Sequence, residues 1–210
     1  MKEEADHIIR VYGLEQVKKL KNITVYENEK IVMVLAGIGK IQASIGAAYL
    51  FQNYEISKLV NIGIAGSLRG KSANIGDVFI VTKIFQHDMY LPFEGPHLDY
   101  AKGSIYVENG VRITEEFQFN VHHNAFCLTG DQFIDDQMKV LELTKMHQAD
   151  TIEMEAFAIA SVAREYDSLN KCIFIKAISD GADNDAKEAH MGNLDFAMKN
   201  SLEVLGAILK

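Results

Sequence analysis

The sequence has few of the residues that mark several classes of protein. It contains only two cysteines and two prolines in 210 residues. Cys127 and Cys172 each lie in an apolar stretch, so we expect no disulfide framework and a reducing, cytoplasmic compartment. Pro92 and Pro96 fall in one loop-like region, and no linker or low-complexity tract divides the chain. The composition therefore predicts a single domain over residues 1–210.

Long apolar runs and an excess of positive charge are also missing. No run approaches the roughly 20 apolar residues that span a bilayer. The N-terminal segment MKEEADHIIR is charged and lacks the apolar core of a signal peptide. The net charge of −8 argues against nucleic acid as a partner, because that partner requires a basic face. We therefore expect neither a membrane nor a nucleic acid as partner.

The chain instead alternates apolar runs with helical patterns. Apolar residues at helical spacing predict a helix over residues 1–20 and further helices over 41–53, 136–147, 153–166 and 194–209. Apolar runs predict strands over residues 22–27, 30–35, 58–64, 77–85, 105–107, 125–128 and 173–178. This alternation indicates an α/β sheet with helices on both faces. Such a domain usually begins with a strand, whereas this chain begins with a helix.

The apolar run at residues 173–178 is followed by Ser179, Asp180 and a glycine. Ligands of open α/β sheets bind at the carboxyl ends of the strands, so Asp180 should face a crevice. An unpaired acid next to a buried run is costly unless it is partnered or protonated. Asp180 is therefore a candidate general acid. The alternative is that its short side chain caps a turn or a helix.

A second acidic segment, residues 151–156 (TIEMEA), opens an Ala-rich helical run. The helix dipole favours a carboxylate in a first turn, and this explains Glu155 as well as a ligand-binding role does. Glu153 and Glu155 are two residues apart and would not share a helix face, so we expect only one to face the crevice. An acid at a strand end and a carboxylate on a neighbouring helix suit acid catalysis on a polyhydroxylated substrate.

Two segments are rich in glycine: residues 36–40 follow a predicted strand, and residues 63–66 form the end of another. Neither fits GxGxxG or GxxxxGK[ST], so a dinucleotide or Walker-type phosphate site is not supported. Each is explained as a tight turn with small side chains, and together they hint at a shared ligand crevice. We expect no metal, because His87 and Asp88 have no further ligand at suitable spacing. No GxSxG elbow of a serine hydrolase is present.

Taken in order, these segments resemble the purine nucleoside phosphorylase and nucleosidase superfamily, and most closely its methylthioadenosine/S-adenosylhomocysteine nucleosidase branch. The resemblance covers nearly the whole chain and is most specific at residues 153–156 (EMEA) and 177–180 (AISD). The other matching segments are residues 37–40 (GIGK), 61–66 (NIGIAG), 76–78 (GDV), 86–88 (QHD) and 129–134 (TGDQFI). It implies a mixed central sheet, no cofactor, and a homodimer to which residues 90–93 (YLPF) would contribute apolar surface.

The resemblance also implies roles for single residues. Asp180, in the motif with Ser179, would protonate the purine at N7. Glu155 would hold the ribose hydroxyls, with Met154 packed against the sugar. The remaining members of the implied substrate site contact the base or the sugar: Phe133 would stack on the base, the Ile134 backbone would read its edge, and Ile64 stands where these nucleosidases commonly have serine.

The N-terminal segment MKEEA resembles the segment that follows the first strand of the family. On that register Glu4 would activate the attacking water, and the opening strand of the family is absent here. The alternative for Glu4 is a solvated helix face. Lys176 stands where arginine is common in the family, which keeps the charge but not the planar fork.

The implied reaction is hydrolysis of the N-glycosidic bond of methylthioadenosine or S-adenosylhomocysteine, a step of methionine salvage that releases adenine. The sugar becomes oxocarbenium-like, so the purine needs a proton and the cation needs nearby negative charge. Related phosphorylases hold phosphate with cations, and neither glycine-rich turn contains arginine, although Arg69 follows the second. Three alternatives remain: an aminodeoxyfutalosine nucleosidase of menaquinone synthesis, a phosphate-dependent phosphorylase, and an inactive, truncated nucleoside-binding form.

Overall fold

The computed structural model describes residues 1–108, 110–111 and 113–210. Its helices are α1 (Lys2–Tyr12), α2 (Lys40–Asn53), α3 (Asp99–Lys102), α4 (Gln137–His147), α5 (Ala156–Glu165) and α6 (Ala186–Ile208). Its strands are β1 (Glu15–Lys19), β2 (Thr24–Glu27), β3 (Val32–Leu35), β4 (Leu59–Ser67), β5 (Val78–Gln86), β6 (Ile105–Tyr106), β7 (Val121–Thr129), β8 (Thr151–Glu153) and β9 (Cys172–Asp180). In these described ranges no helix combines the length and the apolar character needed to cross a membrane.

Six strands form a mixed sheet that closes on itself. Strand β9 pairs in parallel with β4 and antiparallel with β5. From β5 the sheet continues to β7, then to β8, and returns to β4. The short strand β6 also pairs with β5, in antiparallel orientation. Strand β9 is thus hydrogen-bonded on both sides, and all nine of its residues are buried. The predicted α/β class with a mixed sheet is confirmed, and its closure is an additional finding.

Helices cover both faces of this sheet, because side chains alternate along each strand. Phe79 and Phe174 point to one face and pack with Phe157 of α5. The next residues along the strands, Ile80 and Ile175, point to the other face. That second face packs against α6, which α1 in turn contacts. The prediction of helices on both faces is confirmed.

Three predicted helix boundaries are wrong. The helix predicted over residues 1–20 ends at Tyr12, because Gly13 takes a left-handed conformation (φ 61°) and ends it. The following Glu15–Lys19 segment pairs with β2 as strand β1. The helix predicted from residue 153 begins only at Ala156, after strand β8. The last helix begins at Ala186 rather than at residue 194.

The first three strands form a separate antiparallel sheet in the order β1–β2–β3. On the side away from β9, strand β4 pairs with β8 only at Gly66 and Ser67 within the described chain. The remaining length of that edge and the outer edge of β3 border a groove of about 480 Å³. We call it the β3–β4 groove; residues 30–37 and 57–63 line it, together with Met1 and Glu4. In the described chain the first element is α1, as the helical N-terminal pattern predicts.

Candidate active site

The predicted site residues surround one cavity of about 120 Å³ at the carboxyl ends of β4, β8 and β9. All of them except Ser179 line it directly, and Ser179 is buried beside Asp180. The lining residues from the prediction are Glu4, Ile64, Phe133, Ile134, Met154, Glu155 and Asp180. Residues distant in sequence therefore meet at one place.

Asp180 is the last residue of β9, and its side chain is almost completely buried. Its Oδ1 accepts a hydrogen bond from the Ala182 N–H at 2.9 Å, which closes the following turn. Its Oδ2 accepts a hydrogen bond from Ser179 Oγ at 2.7 Å. A Cβ atom at Gly66 of β4 would lie 2.9 Å from Asp180 Oδ1, so glycine at this position makes room for the acid. Asp180 thus supports a turn and also lines the cavity.

Glu155 immediately precedes α5 but makes no capping hydrogen bond to that helix. Its Oε1 accepts a hydrogen bond from the Gly39 N–H at 3.0 Å. Gly39 has φ 91°, a left-handed conformation that favours glycine. Burial raises the pKa of Glu155, and the negative charge of Glu153 raises it further. The Glu155 carboxylate is therefore short of compensating positive charge, as suits a group that binds donors or a cation.

Glu153 also lines the cavity, so the expectation that only one of the two glutamates would face it is wrong. That expectation assumed that both glutamates lie on one helix, whereas Glu153 lies on strand β8. Its carboxylate accepts hydrogen bonds from Thr129 Oγ1 at 2.5 Å and from the Ala156 N–H at 2.9 Å. Glu153 therefore anchors the start of α5, which leaves Glu155 as the carboxylate with more capacity for a ligand.

Lys176 lies in the middle of β9 and is buried at the same place. Its Nζ is 2.7 Å from Glu153 Oε2. Burial alone would lower the pKa of Lys176, but the charges of Glu153 and Glu155 override that effect and raise it above its usual value. Lys176 therefore supplies a buried positive charge to this group of carboxylates. This buried ion pair could have been predicted from the sequence, because a lysine inside an otherwise apolar strand requires a buried partner.

Glu4 projects from α1 toward β4. Its Oε1 accepts a hydrogen bond from the Ile64 N–H at 3.1 Å, and its Oε2 contacts the amino group of Met1. A Cβ atom at Gly63 would lie 2.8 Å from Glu4 Oε1, so this glycine also makes room for a carboxylate. The alternative of a solvated helix face for Glu4 is wrong. Glu4 and Glu155 both lie between the small cavity and the β3–β4 groove.

Phe133 and His190 form the outer wall of the cavity. The two rings meet edge to face with centroids 5.5 Å apart. His190 Nδ1 lies 3.4 Å from Asp180 Oδ2 and 3.3 Å from Ser179 Oγ. His190 was not predicted as a site residue, because the start of α6 was predicted too late, at residue 194 rather than at Ala186.

Positively charged side chains near the predicted turns are engaged elsewhere. Arg69 Nε lies 2.6 Å from Asp150 Oδ1. Lys40 Nζ lies 2.6 Å from Asp88 Oδ1, which accounts for the acidic residue of the His87–Asp88 pair. Of the described residues that line the cavity, none is a lysine or an arginine. Within the same described ranges, no three His, Cys, Asp or Glu side chains are grouped to hold a metal ion.

Residues 1–210 match the family model described as the phosphorylase superfamily. The chain belongs to that superfamily. A 5′-methylthioadenosine/S-adenosylhomocysteine nucleosidase of Buchnera aphidicola is 31% identical over 198 residues, which are 89% of this chain and 77% of that protein. Within the superfamily the chain therefore belongs to the branch of these nucleosidases. An aminodeoxyfutalosine nucleosidase of Helicobacter pylori is 24% identical over 221 residues, covering 100% of this chain and 94% of that protein.

Solved structures agree with this classification. A 5′-methylthioadenosine/S-adenosylhomocysteine nucleosidase of Neisseria meningitidis, in complex with methylthio-immucillin-A, superimposes with a TM-score of 0.87 at 26% identity. The match covers 100% of this chain and 95% of that chain. The futalosine hydrolase of Helicobacter pylori superimposes with a TM-score of 0.85 at 20% identity over 100% and 94% of the two chains, a likeness of fold alone.

Proposed function

We propose that the protein hydrolyses the N-glycosidic bond of adenine 5′-thionucleosides, methylthioadenosine and S-adenosylhomocysteine, and releases adenine. The observation that carries this proposal is the meeting of Asp180, Glu155 and Glu4 around one cavity. One carboxyl group can protonate the leaving base while the others stabilise the sugar cation and activate water. The nucleosidases among its relatives support the same reaction.

Asp180 is the general acid in this proposal. It gives its proton to N7 of the purine as the bond between the sugar and the base breaks. The Ala182 N–H and the Ser179 hydroxyl fix the two carboxyl oxygens, so the acid is already oriented before the substrate binds. General acid catalysis of this kind is typically worth roughly 10²–10⁴-fold.

Glu155 and its neighbours bind the sugar and the base. The Glu155 carboxylate accepts hydrogen bonds from the ribose hydroxyls, and its charge stabilises the oxocarbenium-like sugar. Met154 and Ile64 pack against the sugar. Phe133 stacks on the purine, and the Ile134 backbone contacts its edge.

Glu4 activates the attacking water. The oxygen of the water bonds to the anomeric carbon, and Glu4 takes the released proton. The products are adenine, which carries the proton from Asp180, and the free sugar. The described residues that line the cavity include no lysine or arginine, the side chains that carry a permanent positive charge for binding phosphate. This supports water rather than phosphate as the nucleophile.

A second candidate substrate is aminodeoxyfutalosine. It is favoured by the relative of Helicobacter pylori, whose match spans this whole chain. The decisive assay incubates the protein with methylthioadenosine, S-adenosylhomocysteine or aminodeoxyfutalosine and measures adenine release with and without phosphate. We expect phosphate-independent release from the two thionucleosides. Ribose-1-phosphate formation would identify a phosphorylase, and a folded protein that releases no adenine would identify a nucleoside-binding protein.

Asp180→Asn is the matched control in this assay. We expect it to fold normally and to lose at least about 10²-fold in the chemical step, because the proton donor is removed. Near-normal turnover by the folded variant would show that Asp180 is not the acid.

The assembly and the location belong to the same proposal. A homodimer is supported by the exposed aromatic side chains of Tyr90 and Phe93, which form apolar surface at one loop. A cytoplasmic location and a role in methionine salvage are supported by the buried, unpaired Cys127 and Cys172 and by the nucleosidase relatives.

A further inference from the structure

His190 lies beside the proposed acid, and none of the proposed catalytic steps uses it. Its Nδ1 is 3.4 Å from Asp180 Oδ2 and 3.3 Å from the Ser179 hydroxyl, which itself donates to Asp180 Oδ2. The edge-to-face contact with Phe133 holds the imidazole ring on its other side. Three polar groups thus form a closed triangle at the acid.

The two titratable members of this triangle differ in their access to solvent. The Asp180 side chain is 3% exposed, whereas the His190 side chain is 18% exposed. An imidazole changes its charge between about pH 5 and 8, while an ordinary aspartic acid does so near pH 4. A buried carboxylic acid that must be protonated at neutral pH can therefore obtain its proton from a more exposed imidazole, which still holds one at that pH.

We propose that His190 and Asp180 share one proton, and that His190 acts as a positioning residue that keeps this proton available to Asp180 at neutral pH. This inference rests on the proposed role of Asp180 as the acid. Asp180 gives this shared proton to the purine, which leaves an ionised Asp180 beside a neutral His190. His190 then takes a proton from solvent, and Glu4 releases to solvent the proton that it took from water, so the cycle balances.

Other ionisable groups border the same cavity as this pair. They are Glu4 and the Met1 amino group from α1, Glu153 from β8, and Glu155 ahead of α5. Asp180 is the acid in direct contact with His190. Because two groups this close titrate as a pair, the pH dependence of the reaction belongs to both of them.

The test is the pH profile of kcat/KM for His190→Gln, which keeps a polar side chain but cannot titrate. We expect the alkaline fall of activity to begin at lower pH in this variant. Activity should approach that of the unchanged protein only toward pH 4, and activity at pH 7.5 should drop by about tenfold or more, because the variant has no second group to hold the proton. Added imidazole should restore part of the activity of His190→Ala at pH 7.5.

His7→Gln is the matched control, because His7 also contacts an aspartate on α6, Asp195, at 2.9 Å. It should leave the pH profile unchanged. A His190→Gln profile that coincides with that of the unchanged protein, while Asp180→Asn is inactive, overturns the shared proton but leaves the proposed function standing.

A second measurement does not depend on activity. In ¹⁵N-histidine NMR, the His190 titration should move to lower pH in Asp180→Asn, because the imidazolium loses its negative partner. An identical titration in both proteins overturns the inference. An unchanged protein that cleaves no nucleoside overturns the proposed function, and the NMR result then decides whether the two residues share a proton.

Discussion

Lys176 Nζ and Glu153 Oε2 lie 2.7 Å apart, and both side chains are almost completely buried. The pair joins the middle of β9 to the end of β8, so it connects the strand that carries Asp180 with the segment that carries Glu155. A buried ion pair of this kind adds little stability over an apolar pair, but loss of one partner leaves an uncompensated charge.

Lys176→Met should therefore lower the free energy of unfolding by about 3–5 kcal/mol. Lys176→Arg should cost less, because the charge remains. Urea unfolding at pH 7 measures both. The matched control is Lys199→Met. Lys199 is exposed, and its ion pair with Glu203 is long, at 4.0 Å, so its loss should change stability little. A Lys176→Met protein as stable as this control would contradict a structural role for the pair.

Glu155→Gln should raise the stability of the protein at pH 7 while lowering its activity. Because the pKa of Glu155 is raised by burial and by Glu153, its ionisation opposes folding. This carboxyl group stabilises the fold below about pH 4, and the contribution is lost as the pH rises through its folded-state pKa. The variant should therefore be more stable than the unchanged protein at pH 7, with a gain that disappears in acid, and it should be nearly inactive.

Thermal melts across this pH range and adenine release provide the two measurements. If Glu155 holds the ribose hydroxyls, 2′-deoxy substrates should also be poor for the unchanged protein. Equal activity on ribonucleosides and deoxyribonucleosides would remove that role.

Gly66→Ala should damage the site more than the fold. Its new Cβ would lie 2.9 Å from Asp180 Oδ1 and 3.2 Å from Ile152 Cγ2, so the acid must move. A displacement near 1 Å can cost about 10²-fold in rate. Gly192→Ala is the control, because no atom lies within 4 Å of its added Cβ and α6 favours alanine. Equal turnover by the two variants would show that the Asp180 position is not critical.

An apolar strand of about six residues joined ahead of Met1 should stabilise the protein and raise its activity. The open edges of β3 and β4 offer it hydrogen-bond partners on both sides, and Met1 already lines the groove. In the extended protein, Glu4→Gln should abolish hydrolysis but not nucleoside binding. Full activity without the extension, together with no effect of Glu4→Gln, would refute both the register and the role.

The homodimer is tested by sedimentation velocity on the unchanged protein and on Tyr90→Ser with Phe93→Ser. We expect a dimer that the double substitution weakens, because exposed apolar surface is lost. A monomer with full activity would reject the dimer. Tyr100→Ser, another exposed aromatic residue, serves as the control for a general effect on solubility.

Local patterns predicted the central elements of this fold but not their long-range pairing. The apolar run before Asp180 identified β9 and the position of the acid, because a buried strand requires continuous apolar residues. Closure of the sheet depends on the pairing of β5 with β9, about a hundred residues apart, and no local pattern encodes it. Strand β1 was mistaken for helix, because all five of its residues are exposed and show no alternation of buried and exposed positions.

The site was predicted in the same uneven way. The motif residues were found, and the structure brings them together. Glu153 was assigned to a helix although it ends a strand, so its ion pair with Lys176 was not foreseen. His190 belongs to no motif, and its contact with Asp180 depends on how α6 docks against β9.

Because β9 pairs with a strand on each side, the two halves of the site should differ in the free energy of local unfolding. Amide hydrogens of a strand held on both sides and wholly buried exchange only when the whole protein unfolds. Helix α1 docks mainly on α6 and leaves Val11 61% exposed, so we expect it to open at a lower free energy. The carboxylate on α1 should therefore be released while the acid on β9 is still in place. On warming, turnover should cease at a temperature at which most of the protein is still folded.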